Sequence, residues 1–148
     1  MAQTNVQLEV EDWVRKEWLS GQFGQRFSRE RLNLISGGVF DFDAVSGDGK
    51  IVASISTSGA LTARGKLAVG KVTKIRSDIL FLLLVSCERR VIVLTESTML
   101  QLCQKEMAAG RLPRTVEFLH ADIPQGLKNR LAASQRAASR EMTREDAV

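Results

Sequence analysis

The chain has 148 residues, 44% of them hydrophobic and 26% charged, and its 21 basic and 17 acidic residues give a formal net charge of +4. This length fits one domain with a core of its own, so neither disulfides nor a structural metal is needed. The composition excludes wholesale disorder, a collagen-like chain and a disulfide scaffold. The longest apolar run, Ile79 to Val85, is too short to span a membrane.

The predicted elements begin with a helix from Leu8 to Leu19 and a short strand from Leu32 to Ile35. Two strands follow, Val39 to Ser46 and Ile51 to Thr57, in which apolar and polar residues alternate. The turn from Gly47 to Gly49 lies between them and predicts that they pair as an antiparallel hairpin.

The second half of the chain predicts a long helix from Ala60 to Arg76. The next run, Ile79 to Val85, is apolar throughout, which is typical of a central strand buried on both faces. Four further elements complete the prediction: a strand over Val91 to Leu94, a helix to about Ala109, a strand over Val116 to Leu119, and a weakly amphipathic basic helix from Leu127 to about Arg140.

This order of elements predicts an α/β fold, a mixed β-sheet with flanking helices. We interpret residues 1–126 as one domain and residues 127–148 as a basic C-terminal helix and tail.

Few residues carry reactive side chains. Cys87 and Cys103 follow no paired spacing, which favours a reducing compartment and predicts a cytoplasmic protein. Residues 1–5 have neither the basic nor the apolar region of a signal peptide, so none is expected. His120 is the only histidine, which argues against a His-rich metal centre.

The two hairpin strands carry the polar residues on which a functional interpretation depends. Asp41 and Asp43 lie in the first strand, within the sequence VFDFDAV, and Ser54 and Ser56 lie in the second, within IVASISTS. Taken by themselves, the aspartates are typical of the solvated face of an edge hairpin, and the serines are typical of a half-exposed strand.

Residues 9 to 95 resemble the PD-(D/E)XK nuclease superfamily, the restriction-endonuclease-like fold, whose αβββαβ core carries an aspartate on the second strand and Glu-x-Lys on the third. The resemblance implies that Asp43 is the metal-binding aspartate. Asp41, expected on the same face, is then a second candidate ligand. Ser54 and Ser56 occupy the catalytic Glu and Lys positions.

With serines at these two positions, the chain lacks the carboxylate and the lysine on which catalysis would depend. Mg²⁺, the cofactor of an active member, prefers carboxylates, phosphate oxygens and water, and the lysine would orient the attacking water or stabilise the transition state. The sequence therefore predicts lost catalysis. The alternative is an active divalent-metal endonuclease with migrated groups, a carboxylate from Glu11 or Glu17 and a cation from Arg64 or Lys66.

Basic residues cluster in the predicted long helix. Such a stripe can neutralise phosphates, or it can be an ordinary solvated face. The segment from Ala60 to Ser77 contains no acidic residue and these basic ones: Arg64, Lys66, Lys71, Lys74 and Arg76. A second basic region lies towards the C-terminus: Arg111, Arg114, Lys128, Arg130, Arg136 and Arg140.

Three functions remain open. The first is a nuclease-fold protein without catalysis that binds DNA, RNA or a protein partner, with Arg64, Lys66, Lys71 and Lys74 as the nucleic-acid contacts. The second is the active endonuclease. The third is a structural or oligomerisation module, for example a homodimer. None of the three involves a membrane.

Overall fold

The centre of the structure is a five-stranded mixed sheet, seen in a computed structural model that describes residues 5–146 and the side chains of residues 5–138. The predictions for residues 1–5 and for the C-terminal tail therefore fall partly outside the described residues. The sheet has helices on both faces, as the α/β prediction requires.

The chain begins with one continuous helical segment. It consists of α1 (Asn5–Trp13), a π-helical turn (Val14–Trp18) and α2 (Leu19–Phe23). Gly24 ends the segment in the left-handed conformation, with φ of 68° and its N–H donating to the carbonyl of Ser20. The predicted first helix is confirmed, and the π-helical turn inside it is a feature that apolar periodicity does not reveal.

The first three strands form an antiparallel meander. They are β1 (Phe27–Asn33), β2 (Val39–Ser46) and β3 (Ile51–Ser56). The predicted hairpin of β2 and β3 is confirmed. The first strand was expected from Leu32 to Ile35, and it lies earlier because β1 is an edge strand whose residues are mostly exposed and leave no apolar pattern.

The remaining strands extend the sheet in parallel. They are β4 (Arg89–Leu94), which pairs with β3, and β5 (Val116–His120), which pairs with β4. Three helices connect or follow these strands: α3 (Val69–Leu84), α4 (Ser97–Ala108) and α5 (Gln125–Asp146). The predicted strands at Val91 to Leu94 and Val116 to Leu119 and the helices on either side of β5 are confirmed.

Each face of the sheet packs its own hydrophobic cluster. The first core lies under α3 and α4, and its buried members include Phe42, Val45, Val52, Ile75, Ile79, Leu82, Ile92, Leu94 and Met99. The second core lies under the N-terminal helical segment and α5, and its members include Val10, Val14, Leu19, Ala44, Ala53, Ile55, Val93 and Leu131.

The predicted central strand from Ile79 to Val85 is wrong, because this run forms the last turns of α3 and ends at its C-cap. The buried apolar residues in this part of α3 follow helical spacing: Ile75, Ile79 and Leu82. Leu80 and Leu83, in contrast, are exposed. An unbroken apolar run does not by itself distinguish a buried strand from a helix, and here the helix leaves part of its apolar surface in solvent.

The predicted helix from Ala60 to Arg76 also begins too early, since α3 starts at Val69. Residues 60–68 instead form a small hairpin with an isolated bridge between Leu61 and Leu67. Gly65 at its tip has φ of 78°, a conformation that other residues adopt only with strain. We call residues 60–68 the basic hairpin.

The helical assignment of α3 leads to a mutational prediction. Leu82 is fully buried, whereas Leu80 and Leu83 are 54% and 38% exposed. We expect Leu82→Ala to lower the free energy of unfolding by about 2–5 kcal/mol, and Leu80→Ala and Leu83→Ala to lower it by less than about 1 kcal/mol each. Urea unfolding followed by circular dichroism measures all three. Equal destabilisation at the three positions would indicate a strand buried on both faces.

Candidate functional site

A β-bulge in β2 sets the geometry around Asp43. Glu30 of β1 pairs with Phe42 of β2, and Ser28 of β1 pairs with Val45 of β2. Asp43 and Ala44 therefore both lie opposite the single β1 residue between Ser28 and Glu30. Phe42 accordingly packs in the first core and Ala44 in the second, although alternation alone would place both on one face. A bulge of this kind redirects one side chain without ending the strand.

Asp43 is held by contacts to two other elements. Its Oδ2 accepts a hydrogen bond from the backbone N–H of Ile55 at 2.8 Å. Its carbonyl oxygen accepts one from Nε of Arg15 at 2.6 Å, and Arg15 lies buried in the π-helical turn. The carboxylate therefore ties β2 to β3 beyond the last paired residues of their ladder, Ala44 with Ala53.

Ser54 and Ser56 face the first core. Ser54 pairs with Ile92 and Ser56 with Leu94 across the parallel β3–β4 ladder, and both partners belong to that core. Ser54 is only 3% exposed. Ser56 is half-buried, and its Oγ accepts a 3.4 Å hydrogen bond from the N–H of Ser58. Both serines are thus small neutral groups under α3 and α4.

A second carboxylate approaches Asp43 from α3. Asp78 is 4% exposed and accepts a 2.5 Å hydrogen bond from Nζ of Lys74. Burial raises the pKa of Asp78 above its ordinary value, the Lys74 ammonium opposes that rise, and the negative charge of Asp43 adds to it. The Lys74–Asp78 pair therefore interacts electrostatically with Asp43, and we call these three residues the carboxylate cluster.

Sequence reasoning missed Asp78 because the residue fell between a predicted helix and a predicted strand. The signal was present, since Asp78 is the only acidic residue between Asp48 and Glu88 and it precedes an apolar run. A lone acid at the start of such a run is rarely buried without a partner, and Lys74 lies one helical turn before it.

Asp41 is not part of the carboxylate cluster, contrary to the expectation that it shares a face with Asp43. Phe40 and Phe42, on either side of it, turn towards α3, where the Phe40 ring stacks on Phe81 at 4.0 Å between centroids. Asp41 points the other way and pairs with Arg31 at 2.8 Å, and this hydrogen bond lowers its pKa. The bulge separates the two aspartates.

The residues predicted as migrated groups also lie elsewhere. Glu11 is buried on α1 beside Val10 of the second core, on the face opposite Ser54 and Ser56, and Glu17 is exposed. Arg64 and Lys66 lie in the exposed basic hairpin rather than on a helix. The cation beside the carboxylates is Lys74, which a helix beginning at Val69 places one turn before Asp78.

The remaining reactive side chains do not assemble a second centre. Burial raises the pKa of Cys103 to about 11, so this thiol stays protonated in the first core. Burial raises the pKa of Glu96, whereas the nearby charges of His120 and Lys128 lower it. Among residues 5–138, whose side chains the structure describes, there is no group of three or more His, Cys, Asp or Glu placed to hold a metal ion.

Comparison with protein-family models, with curated proteins and with solved structures gives no match for this chain. No helix within the described part of the chain is both long enough and apolar enough to cross a bilayer.

The raised pKa of Asp78 makes a prediction about stability. A carboxyl group whose pKa is raised by folding contributes stability below its unfolded pKa, and that contribution is lost as pH rises through the folded pKa. We therefore expect Asp78→Asn to unfold at a higher urea concentration than the wild type at pH 7.5, and the difference to disappear by about pH 4.

Asp41→Asn is the matched control. Arg31 lowers the pKa of Asp41, so the ionised carboxylate of Asp41 stabilises the folded state, whereas that of Asp78 destabilises it. This variant should be no more stable than the wild type at pH 7.5. If Asp78→Asn is destabilised at that pH, the hydrogen bond from Lys74 outweighs the cost of burying the charge.

Proposed function

We propose that this chain is a nucleic-acid-binding protein built on a nuclease-like frame that has lost efficient hydrolysis. The observation that carries the proposal is an acid-free stretch from Gly49 to Ser77, which forms β3, the basic hairpin and the first half of α3. Exposed cations that follow one another along the chain without an intervening acid attract a polyanion.

The cations of this stretch remain available to a partner. Arg64, Lys66, Lys71 and Arg76 are exposed, and none forms an ion pair with a residue in the described part of the chain. Lys74 is the exception, because it bonds Asp78. Exposed unpaired cations can displace the counterions of a phosphate backbone, which is the main source of affinity for nucleic acid.

The second basic region supports binding less, because internal ion pairs neutralise much of it. Lys128 pairs with Asp122 at 2.6 Å, Arg130 with Glu9 at 2.7 Å, and Arg111 with Glu106 at 3.1 Å. The side chain of Arg140 lies outside the described residues. The predicted contacts at Arg64, Lys66 and Lys71 are therefore favoured over the C-terminal region.

The nuclease-like frame is part of the same proposal. The order of helix, three strands, helix and strand from α1 to β4 resembles the superfamily core, with Asp43 on the second strand. Ser54 and Ser56 provide neither the carboxylate nor the lysine of the third strand. Phosphate contacts need only the exposed cations, so loss of catalysis leaves binding possible in physical terms.

A second candidate function is a divalent-metal phosphodiesterase, and the carboxylate cluster is the observation that favours it. One or two carboxylates with phosphate oxygens and water complete many Mg²⁺ sites, and Asp43 and Asp78 would supply them. Lys74 is the cation that would stabilise the charge of the transition state. In the structure, however, its Nζ already donates a hydrogen bond to Asp78, and the N–H of Ile55 donates one to Oδ2 of Asp43. Both contacts compete with an ion, so binding without hydrolysis remains the first proposal.

Salt-dependent binding tests the first proposal. We expect fluorescence anisotropy to detect binding to a DNA duplex, and the triple variant Arg64→Ala, Lys66→Ala, Lys71→Ala to reduce the slope of log K against log salt by about 0.9 for each phosphate that it no longer neutralises. The matched triple variant changes three ion-paired cations instead: Arg111→Ala, Lys128→Ala and Arg130→Ala. It should keep most of the wild-type slope. Equal reductions in the two variants would mean that only net charge matters.

Plasmid nicking with Mg²⁺ and then Mn²⁺ separates the two candidates. We expect the wild type to nick no faster than Asp43→Ala, because no third-strand carboxylate or lysine is present. Nicking that is present in the wild type and abolished in both Asp43→Ala and Asp78→Asn would establish the phosphodiesterase and assign the carboxylate cluster to it.

A further inference from the structure

The basic hairpin has a defined backbone although it lies on the surface. Ala68 N–H donates to the Ala60 carbonyl at 2.8 Å, and Thr62 N–H donates to the Lys66 carbonyl at 2.7 Å. At the tip, Gly65 N–H donates to the Thr62 carbonyl at 2.9 Å, and Thr62 Oγ1 accepts a 3.2 Å bond from Lys66 N–H. These bonds close a short hairpin whose two arms meet in one bridge, between Leu61 and Leu67.

The base of the hairpin is fixed to two helices. Ala60 is 2% exposed, and its N–H donates to Oγ1 of Thr98 on α4 at 3.1 Å. The carbonyl of Thr57 accepts a 2.9 Å bond from Nε2 of Gln135 on α5. A Cβ at Gly59 would lie 3.1 Å from the same Thr98 hydroxyl, so the chain passes close to α4 here. The basic hairpin is anchored at its base and extends into solvent.

Two leucines of the basic hairpin face solvent. Leu61 and Leu67 are bridge partners and are 52% and 49% exposed, and Val69 just beyond them is 65% exposed. Arg64 and Lys66 lie between the leucines along the chain, at the tip. Apolar side chains grouped with unpaired cations on a preordered element indicate a partner that is both anionic and partly apolar.

We propose that the basic hairpin enters the major groove of double-helical DNA, with Leu61 and Leu67 against thymine methyl groups and Arg64 and Lys66 on the flanking phosphates. The inference rests on the proposed nucleic-acid binding and names its substrate class. The major groove of B-form DNA admits a two-stranded ribbon and presents the C5-methyl group of thymine there. The major groove of A-form RNA is too narrow for such an element, so duplex RNA is a poorer ligand.

A membrane surface is less consistent with these observations. Interfacial binding grows with buried apolar area and is typical of long amphipathic helices. The hairpin offers one cross-strand leucine pair with a neighbouring valine. Apolar contact with base edges, in contrast, needs only one or two side chains once phosphate contacts have positioned the element.

Replacing thymine by uracil tests the proposal, because it removes the major-groove methyl groups and leaves the phosphates unchanged. The probes are two duplexes of one AT-rich sequence, one with thymine and one with uracil, read by fluorescence anisotropy. We expect the full-length wild type to bind the thymine duplex more tightly, by about threefold to fourfold for each methyl group buried. The double variant Leu61→Ser, Leu67→Ser should bind both duplexes equally.

Leu80→Ser is the matched control, because Leu80 is a similarly exposed leucine on α3, away from the hairpin. It should keep the preference for thymine. A wild type that binds DNA without that preference, or a preference that survives in the double variant, would overturn the major-groove inference and leave the proposed function standing. A wild type that binds no nucleic acid but binds vesicles of acidic lipid would overturn both.

Discussion

The hydrogen bond from Ile55 N–H to the carboxylate of Asp43 holds β3 against β2 at the candidate site. The ladder between β2 and β3 is paired at Ala44 and Val45, and the bulge that Asp43 and Ala44 form against β1 lies at the end of that ladder. The carboxylate supplies an acceptor for a backbone donor at this point, and a buried donor without one is costly. Because Arg15 bonds the carbonyl of the same residue, the N-terminal helical segment is positioned by it as well.

This arrangement gives Asp43 a structural role that does not depend on metal chemistry. The carboxylate cluster is arranged so that α3 adds one buried acid and one cation on the side where the serines face. The same helix and the hairpin before it carry exposed cations that form no ion pair with the described residues: Arg64, Lys66, Lys71 and Arg76.

Alternation and turn signals predicted the hairpin of β2 and β3, and apolar periodicity predicted α4, β4 and β5, since each depends on local sequence. The bulge at Asp43 was beyond such reasoning, because the extra residue is defined by pairing with β1 and not by the residues of β2 themselves. For the same reason the sequence placed Asp41 beside Asp43. The error at Ile79 has a different origin, because burial of an apolar run depends on how much surface the neighbouring elements cover.

The position of α3 between β3 and β4 has a consequence for the order in which the protein folds. The β1–β2–β3 meander joins strands that are neighbours along the chain, so closing it costs little loop entropy. The parallel ladder from β3 to β4 joins residues separated by the whole of the basic hairpin and α3. Non-local parallel pairing is intrinsically slow, so we expect the meander to form first and the edge of β3 to stay open until α3 has docked. We expect aggregation to be most pronounced during that interval, when the edge of β3 that later pairs with β4 has no strand beside it.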